Sequence, residues 1–262
     1  MTDLVLAQRQ GAVLVLTFNR PDKLNAWTND LEGRYFELLL DADDDPTVGA
    51  IVVTGAGRGF CSGADLNNLK HVGAVQPEDL ARARPRDLPR NIRKPLIGAI
   101  NGVAAGLGMV EALYCDVRFA GAATRFTTAF ARRGLIAEYG ISWMLARLVG
   151  TSRAADLLLS SRMVDAEEAY RIGLVDHLVP QEGLLAAAIG YATDLATYCS
   201  PQSLATMKAQ LHTDTSYADA AAHADQLMLA AFHAPDVIEG VTSYLEKRPP
   251  NFPPLPPGSP RV

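Results

Sequence analysis

Apolar positions along this chain follow two rhythms, short unbroken runs and runs that return every three to four residues. The stretch GAVLVLTFNR (Gly11–Arg20) is rich in β-formers and closes on Asn19-Arg20-Pro21-Asp22, a turn signal. VGAIVVTG (Val48–Gly55) and PLIGAI (Pro95–Ile100) read as strands buried on both faces. From Trp27 to Leu40, Leu31, Tyr35, Leu38 and Leu39 fall at helical spacing, with Asn29 and Glu32 as a capping pair. PLIGAI runs into the glycine-rich NGVAAGLGM, an apolar helix VEALYCD and a strand VRFAG. Strand, glycine-rich turn and helix thus recur, which predicts an α/β architecture of repeated units. Helical spacing returns at Gly140–Val149 through Ile141, Leu145 and Leu148, then in RAADLLLSS, DAEEAYRIG, Glu182–Tyr198 and Pro201–Phe232.

Two polar stretches interrupt the pattern. Asp41–Asp45 reads as a solvated acidic turn, and His71–Pro95, with Arg82, Arg84, Arg86, Arg90 and Arg93, as a loop or mobile helix over the surface. The tail KRPPNFPPLPPGSPRV cannot pack as helix or sheet interior, which predicts an extended or disordered arm.

The 262 residues suit one large domain or a domain with a small appendage. A net charge of -5 argues against a general nucleic-acid binder. Cys61, Cys115 and Cys199 are widely spaced and read as free thiols of a reducing compartment. The first residues lack a signal peptide's charged and apolar regions, and no uncharged apolar stretch reaches the ~18 residues of a membrane helix. The expectation is a soluble, cytoplasmic protein.

Candidate chemistry concentrates in GFCSGADL (Gly59–Leu66), directly after a buried strand. A dinucleotide fingerprint needs glycine where Phe60 stands, and so does a serine nucleophile elbow at Ser62. Cys61 lies in an apolar setting with no histidine nearby in sequence, which favours an inert buried thiol. His71, His177, His212, His223 and His233 are scattered and form no metal motif. An oxyanion hole survives these tests, because small residues after a strand let backbone N–H groups face a cavity. SGADL offers one such bend and AAGLGM another, each opening toward a helix whose N-terminal dipole adds positive potential. Either loop alone is equally explained by tight packing. Losing one donor from such a hole costs roughly 3 kcal/mol in measured enzymes.

Together with their surroundings these loops resemble the enoyl-CoA hydratase/isomerase (crotonase) family. The matching pieces are LTFNRPDKLNAW, IVVTGAGRGFCSGADL, KPLIGAINGVAAGLGMVEALYCDVRFA, RRGLIAEYGISWMLARLVG, RIGLVDHLV and EGVTSYLEKRPPNF, in family order over nearly the whole chain. The resemblance implies a spiral of ββα units over residues 1–199, followed by a helical trimerisation region over 200–262. It implies a trimer or a hexamer, and a coenzyme A thioester substrate with no separate cofactor or metal. By position, the oxyanion donors are the N–H groups of Ala64 and Leu107, the latter standing where glycine is more usual. Lys23, Leu24, Asn25 and Ala26 match the stretch lining the adenine and pantetheine path. Asp65, Leu66 and Gly106, which flank the two donors, are implied with Ala64 as substrate-binding residues, and Lys247 matches a basic residue that reaches coenzyme A phosphates. Both lysines also read as ordinary solvated charges, and Asp65 as a carboxylate that positions its loop.

Hydratases of the family use two glutamates. The matching positions here are Val110 and Phe130, so neither acid is present. Glu111 lies one residue beyond the first position, about 100° around a helix. Glu138 matches the place where some family isomerases carry their acid; its plainer reading is a helix-start charge worth ~0.3–1 kcal/mol. Burial in an acyl pocket would raise its pKa, against the lowering by the helix dipole. Tyr139 and Trp143 are candidates for the pocket wall. One acid suffices to carry a proton between two carbons, which favours double-bond isomerisation of an enoyl-CoA. Two alternatives stay open: hydration by Glu138 with an inward-swung Glu111, and a catalytically silent acyl-CoA binder. RNA binding is disfavoured, since the arginine-rich stretch lacks interleaved aromatics.

Overall fold

The computed structural model describes residues 3–65, 84–212 and 216–258. Strand β1 (Val5–Gln10) turns at Gly11 into antiparallel β2 (Val13–Phe18). Helix α1 (Asn29–Asp44) follows, then β3 (Ala50–Gly55), parallel to β2, and the short β4 (Gly59–Cys61). Next come β5 (Leu96–Ile100), β6 (Val103–Ala105), α2 (Leu107–Tyr114), β7 (Val117–Ala120) and β8 (Arg125–Thr127). The chain continues through α3 (Ile141–Val149), α4 (Thr151–Ser160), β9 (Val164–Asp165), α5 (Ala166–Arg171) and β10 (His177–Leu178). It ends in α6 (Leu184–Tyr198), α7 (Pro201–His212), α8 (Tyr217–Phe232) and α9 (Pro235–Glu246).

Two sheets form, one in the order β1-β2-β3-β5-β7-β10 and one in the order β4-β6-β8-β9. Each long strand β3, β5 and β7 is followed by a short partner β4, β6 or β8 in the second sheet, the paired strands of the ββα repeat that the resemblance implies. Apolar runs form the central strands because both faces of the large sheet are covered. Leu14, Leu16, Phe18, Ile51, Val53, Leu96 and Ile100 face the main core, while Val13, Val15, Val52, Ile97 and Ala99 pack with Leu184, Ala188 and Ala192 of α6. Phe18 ends β2 amid Trp27, Tyr35 and Phe60, with ring centroids 5.5, 5.1 and 5.4 Å away in edge-on geometry. That cluster fixes the floor beneath β4.

Four expectations need correction. The cap of α1 is Thr28, whose hydroxyl accepts from the Leu31 amide at 3.2 Å, and Glu32 is buried instead of capping. The arginine stretch is only partly a surface feature: Arg84 is exposed, but Arg86 and Arg93 are buried. Asp41–Asp45 is not a solvated turn: Asp41–Asp44 complete α1, and Asp43 is buried. The proline-rich tail is docked through Gly258. Its Leu255 is buried, its Pro256 carbonyl accepts from Arg93 at 2.8 Å, and its Gly258 amide donates to Asp44 at 3.1 Å. Leu66 and the stretch from His71 to Arg82 lie outside the described residues. Among the described residues no helix is long and apolar enough to cross a membrane.

Arg93 is the hub of that docking. Its Nε and its amide each reach the buried Asp43 carboxylate at 2.8 Å, and Nη2 donates to the Asp43 carbonyl at 2.9 Å. Arg93→Met is therefore expected to cost about 3–5 kcal/mol, because it leaves a buried carboxylate without its ion-pair partner. Urea denaturation measures this, and a loss below about 1 kcal/mol would contradict the assignment.

Candidate functional site

The first bend, Ser62–Asp65, is held from one side by residues that follow β2. A 3-10 turn at Pro21–Lys23 leads into Leu24 and Asn25, both in left-handed backbone (φ 48° and 55°). Asn25 is fully buried; its amide group donates to the carbonyls of Ala56 and Gly59 at 3.0 and 2.8 Å. The Ser62 amide donates to Leu24 at 3.0 Å, so Lys23–Ala26 runs alongside the bend. Trp27 then makes a parallel bridge to Ala64: its amide donates to Gly63 at 2.7 Å and its carbonyl accepts from Asp65 at 3.0 Å. In such a bridge the straddled residue turns its own N–H and C=O the other way. The Ala64 amide thus points away from Trp27 and has no acceptor among the described residues. Asp65 pairs with Arg20 at 2.9 Å, which fits its reading as the carboxylate that positions the loop.

The second bend lies on that opposite side. Gly106 has φ 52° and ψ −117°, donates its amide to Thr127 at 3.0 Å, and starts α2 at Leu107. As the first residue of a helix, Leu107 has an N–H with no intrahelical partner, and none of the described residues accepts from it. Two glycines let the bends meet. A Cβ on Gly63 (φ 95°) would stand 2.7 Å from the Ala105 carbonyl and 3.7 Å from the Leu107 nitrogen, and one on Gly108 would strike the Cys61 carbonyl. The structure therefore brings Lys23, Leu24, Ala26, Ala64, Asp65, Gly106 and Leu107 into one neighbourhood. Cys61 beneath them is buried, and burial pushes its thiol up to about 12, so it is unreactive.

Glu138 arrives from a third element. The chain kinks at Tyr139 (φ 55°) and Gly140 (φ 73°), both left-handed, before α3 begins. Glu138 is half-buried, partial desolvation raises its pKa above the ordinary value of 4.5, and its carboxylate has no partner among the described residues. Val110 and Phe130 are both buried apolar side chains.

Glu111 is not aimed at Glu138. Its side chain, 1% exposed, takes a 2.5 Å hydrogen bond from Arg86 Nη1. Arg86 Nε lies 3.1 Å from Glu32, whose carboxylate also accepts from Trp27 Nε1 at 2.9 Å. Burial pushes Glu111 up to about 7, the Arg86 charge offsetting this only in part. Burial opposes the charge of Arg86 too, but its two carboxylates more than compensate and its pKa is raised. A cavity of about 320 Å³ adjoins this ion cluster, lined by Arg86, Arg90, Tyr114, Tyr139, Trp143 and Met144. It touches the Glu138 kink through Tyr139 and Gly140.

Lys247 caps α9 in left-handed backbone (φ 55°), and no hydrogen bond or ion pair among the described residues links it to the bends. Sequence reading missed Arg86, Glu32 and Trp27. The available signal was Glu111 itself, an acid within an apolar helix, which requires a buried cation.

Three comparisons place these features among known proteins. Residues 8–254 match the sequence profile of the enoyl-CoA hydratase/isomerase family. The chain is 35% identical over 262 residues to a 1,2-epoxyphenylacetyl-CoA isomerase of Escherichia coli, covering 96% of this chain and 99% of that protein. It is 31% identical to a probable enoyl-CoA hydratase of Mycobacterium bovis, covering 95% of this chain and 98% of that protein. A crystal structure of a probable enoyl-CoA hydratase/isomerase from Mycobacterium abscessus superposes with a TM-score of 0.88 at 33% identity, covering 96% of this chain and 99% of that one.

The Glu111 shift makes a stability prediction. A folded-state pKa raised above the unfolded one contributes stability that is complete below the unfolded value of 4.5 and is lost as pH rises through about 7. Measured against Glu111→Gln, the wild type is expected to lose on the order of 3 kcal/mol between about pH 4.5 and about pH 8. Parallel denaturation curves would contradict a protonatable Glu111.

Proposed function

The chain belongs to the enoyl-CoA hydratase/isomerase family, and from that premise we propose that it moves a carbon–carbon double bond within an enoyl-CoA thioester. The observation that carries this reading is Glu138, a half-buried carboxylate with no partner among the described residues, while the buried apolar Val110 and Phe130 stand at the positions that match the hydratase acids. Glu111 is committed to Arg86, which argues against its use in activating water.

In the proposed reaction the thioester oxygen accepts from the amides of Ala64 and Leu107. Glu138 as carboxylate removes a proton from C2 or C4, breaking one C–H bond and sending its electron pair into a dienolate whose charge gathers on that oxygen. The protonated Glu138 then returns the proton to the far carbon. One C–H bond breaks, one forms, and neither water nor an oxidant is consumed. A raised pKa makes the carboxylate a stronger base toward the weakly acidic C–H bond, which lowers the cost of forming the dienolate. The acidic limb of the rate should accordingly lie above the ordinary carboxylate range. Lys23, Leu24 and Ala26 would flank the coenzyme A moiety and Lys247 would meet its phosphates. The aromatic lining and about 320 Å³ of the adjoining cavity support a compact, ring-sized acyl group over a long alkyl tail; the Escherichia coli relative is named for 1,2-epoxyphenylacetyl-CoA.

Glu138→Gln is expected to lower the turnover of 3-enoyl-CoA substrates about 100- to 10,000-fold while acyl-CoA binding persists. Full turnover by the variant would remove the role of Glu138, and a wild type that binds thioesters without converting any would favour the silent binder.

The reading extends to assembly. Helix α8 buries no residue, and on α9 Tyr244 and Leu245 are 82% and 73% exposed. So much uncovered apolar surface favours burial against further copies of the chain. Light scattering is expected to report a trimer or a hexamer of identical chains; a monomer at micromolar concentration would contradict this.

A further inference from the structure

We propose that Arg86 is the positioning residue that holds together the three elements bearing the proposed catalytic groups. This inference rests on the reading of Ala64, Leu107 and Glu138 given above. Arg86 touches two of those elements directly and the third through its backbone neighbour Trp27. Its guanidinium lies 4.8 Å from the centroid of Trp27, whose backbone brackets Ala64. On Tyr139, the residue after Glu138, it lies 5.1 Å from the ring centroid. Its Nη1 edge binds Glu111 at 2.5 Å, one helical turn along α2 from Leu107. A fourth contact, to Glu32 at 3.1 Å, ties the guanidinium to the start of α1, and Glu32 in turn fixes the Trp27 indole at 2.9 Å.

The chemistry of the group suits the task. A flat, delocalised cation stacks on aromatic rings while its edge nitrogens bind carboxylates, whereas a lysine ammonium offers one point charge and no plane. The knot is also an unpromising way to gain stability. Replacing a buried ion cluster by apolar side chains of similar volume is often neutral or stabilising, so direction rather than energy is its distinguishing property. Tyr139 needs such a hold: it is a non-glycine residue at φ 55°, a conformation that persists only when its surroundings impose it. The Tyr114 hydroxyl, donating to the Tyr139 carbonyl at 3.2 Å, supplies a second tether from α2 to the same kink.

Two variants test this. Arg86→Lys keeps the charge and loses the plane. The triple variant Glu32→Gln, Arg86→Met, Glu111→Gln removes every charge of the knot, so that no unpaired ion is left to unfold the chain. Each is examined by thermal melting, by affinity for a non-reactive acyl-CoA analogue, and by kcat and KM on the enoyl-CoA that the wild type isomerises. The expected result for every variant that melts cooperatively is affinity within about threefold of wild type and kcat about 100-fold lower, because misplacement of the reacting groups by an ångström costs roughly that much. A folded variant with kcat within about threefold of wild type overturns the inference, and so does a raised KM at unchanged kcat, which would make Arg86 a binding residue. Glu138→Gln run alongside separates the two levels. If it keeps turnover, the functional reading falls and takes this inference with it; if it loses turnover while the Arg86 variants keep theirs, only the inference falls.

Discussion

The candidate site depends on one close approach of backbone to backbone. The first turn of α2 sits against the Cys61 carbonyl, and the Ser62–Asp65 bend sits against the Ala105 carbonyl, with no room for a side chain at Gly108 or Gly63. This contact joins the end of β4 to the end of β6, which are neighbours in the small sheet. Each of the two bends therefore leaves its sheet at the same edge. One amide faces outward because the Trp27 bridge uses the bonds on the other side, the other because a helix begins there. Neither property belongs to a side chain. The side chains decide only whether the two backbones can be brought so near.

Beneath that contact the molecule accepts an arrangement with little apparent benefit to stability. Glu32, Arg86 and Glu111 are all buried, and among the described residues the Arg86 Nε and Nη2 and the Glu111 Oε2 atoms lack hydrogen-bond partners, Nε meeting Glu32 only as an ion pair. A cost of that kind is characteristic of places where geometry is held against relaxation. The surrounding core supplies what the knot does not. Phe18, Tyr35 and Phe60 pack edge-on below β4, and Arg93 anchors both the end of α1 and the docked tail. Rigid packing below and a directional ion cluster beside the site perform separate duties.

Much of the fold was legible in the sequence because it follows from burial. β3 and β5 are covered on both faces, and their unbroken apolar runs record that directly. The neighbourhood of Ala64 and Leu107 was legible through glycine, since each bend needs at least one position with no Cβ. Less legible were features created by distant partners. Arg86 reads as one of several arginines in a polar stretch, and nothing local distinguishes it from exposed Arg84; only the convergence of Trp27, Glu111 and Tyr139 makes it an interior residue. The same holds for the tail. Its prolines forbid helix and sheet interior, yet Leu255 and the Pro256 carbonyl find a socket provided by α1 and Arg93. Glu32 has the spacing of a cap, but its carboxylate is taken by the Trp27 indole and Arg86.

The central claim is that two main-chain amides from separate bends share one acyl oxygen. A crystal structure with a non-reactive enoyl-CoA analogue tests it most directly. The account predicts the thioester oxygen about 2.7–3.1 Å from both the Ala64 and the Leu107 nitrogens. An oxygen facing solvent, or bonded to one amide while the other is occupied by a protein acceptor, would contradict it.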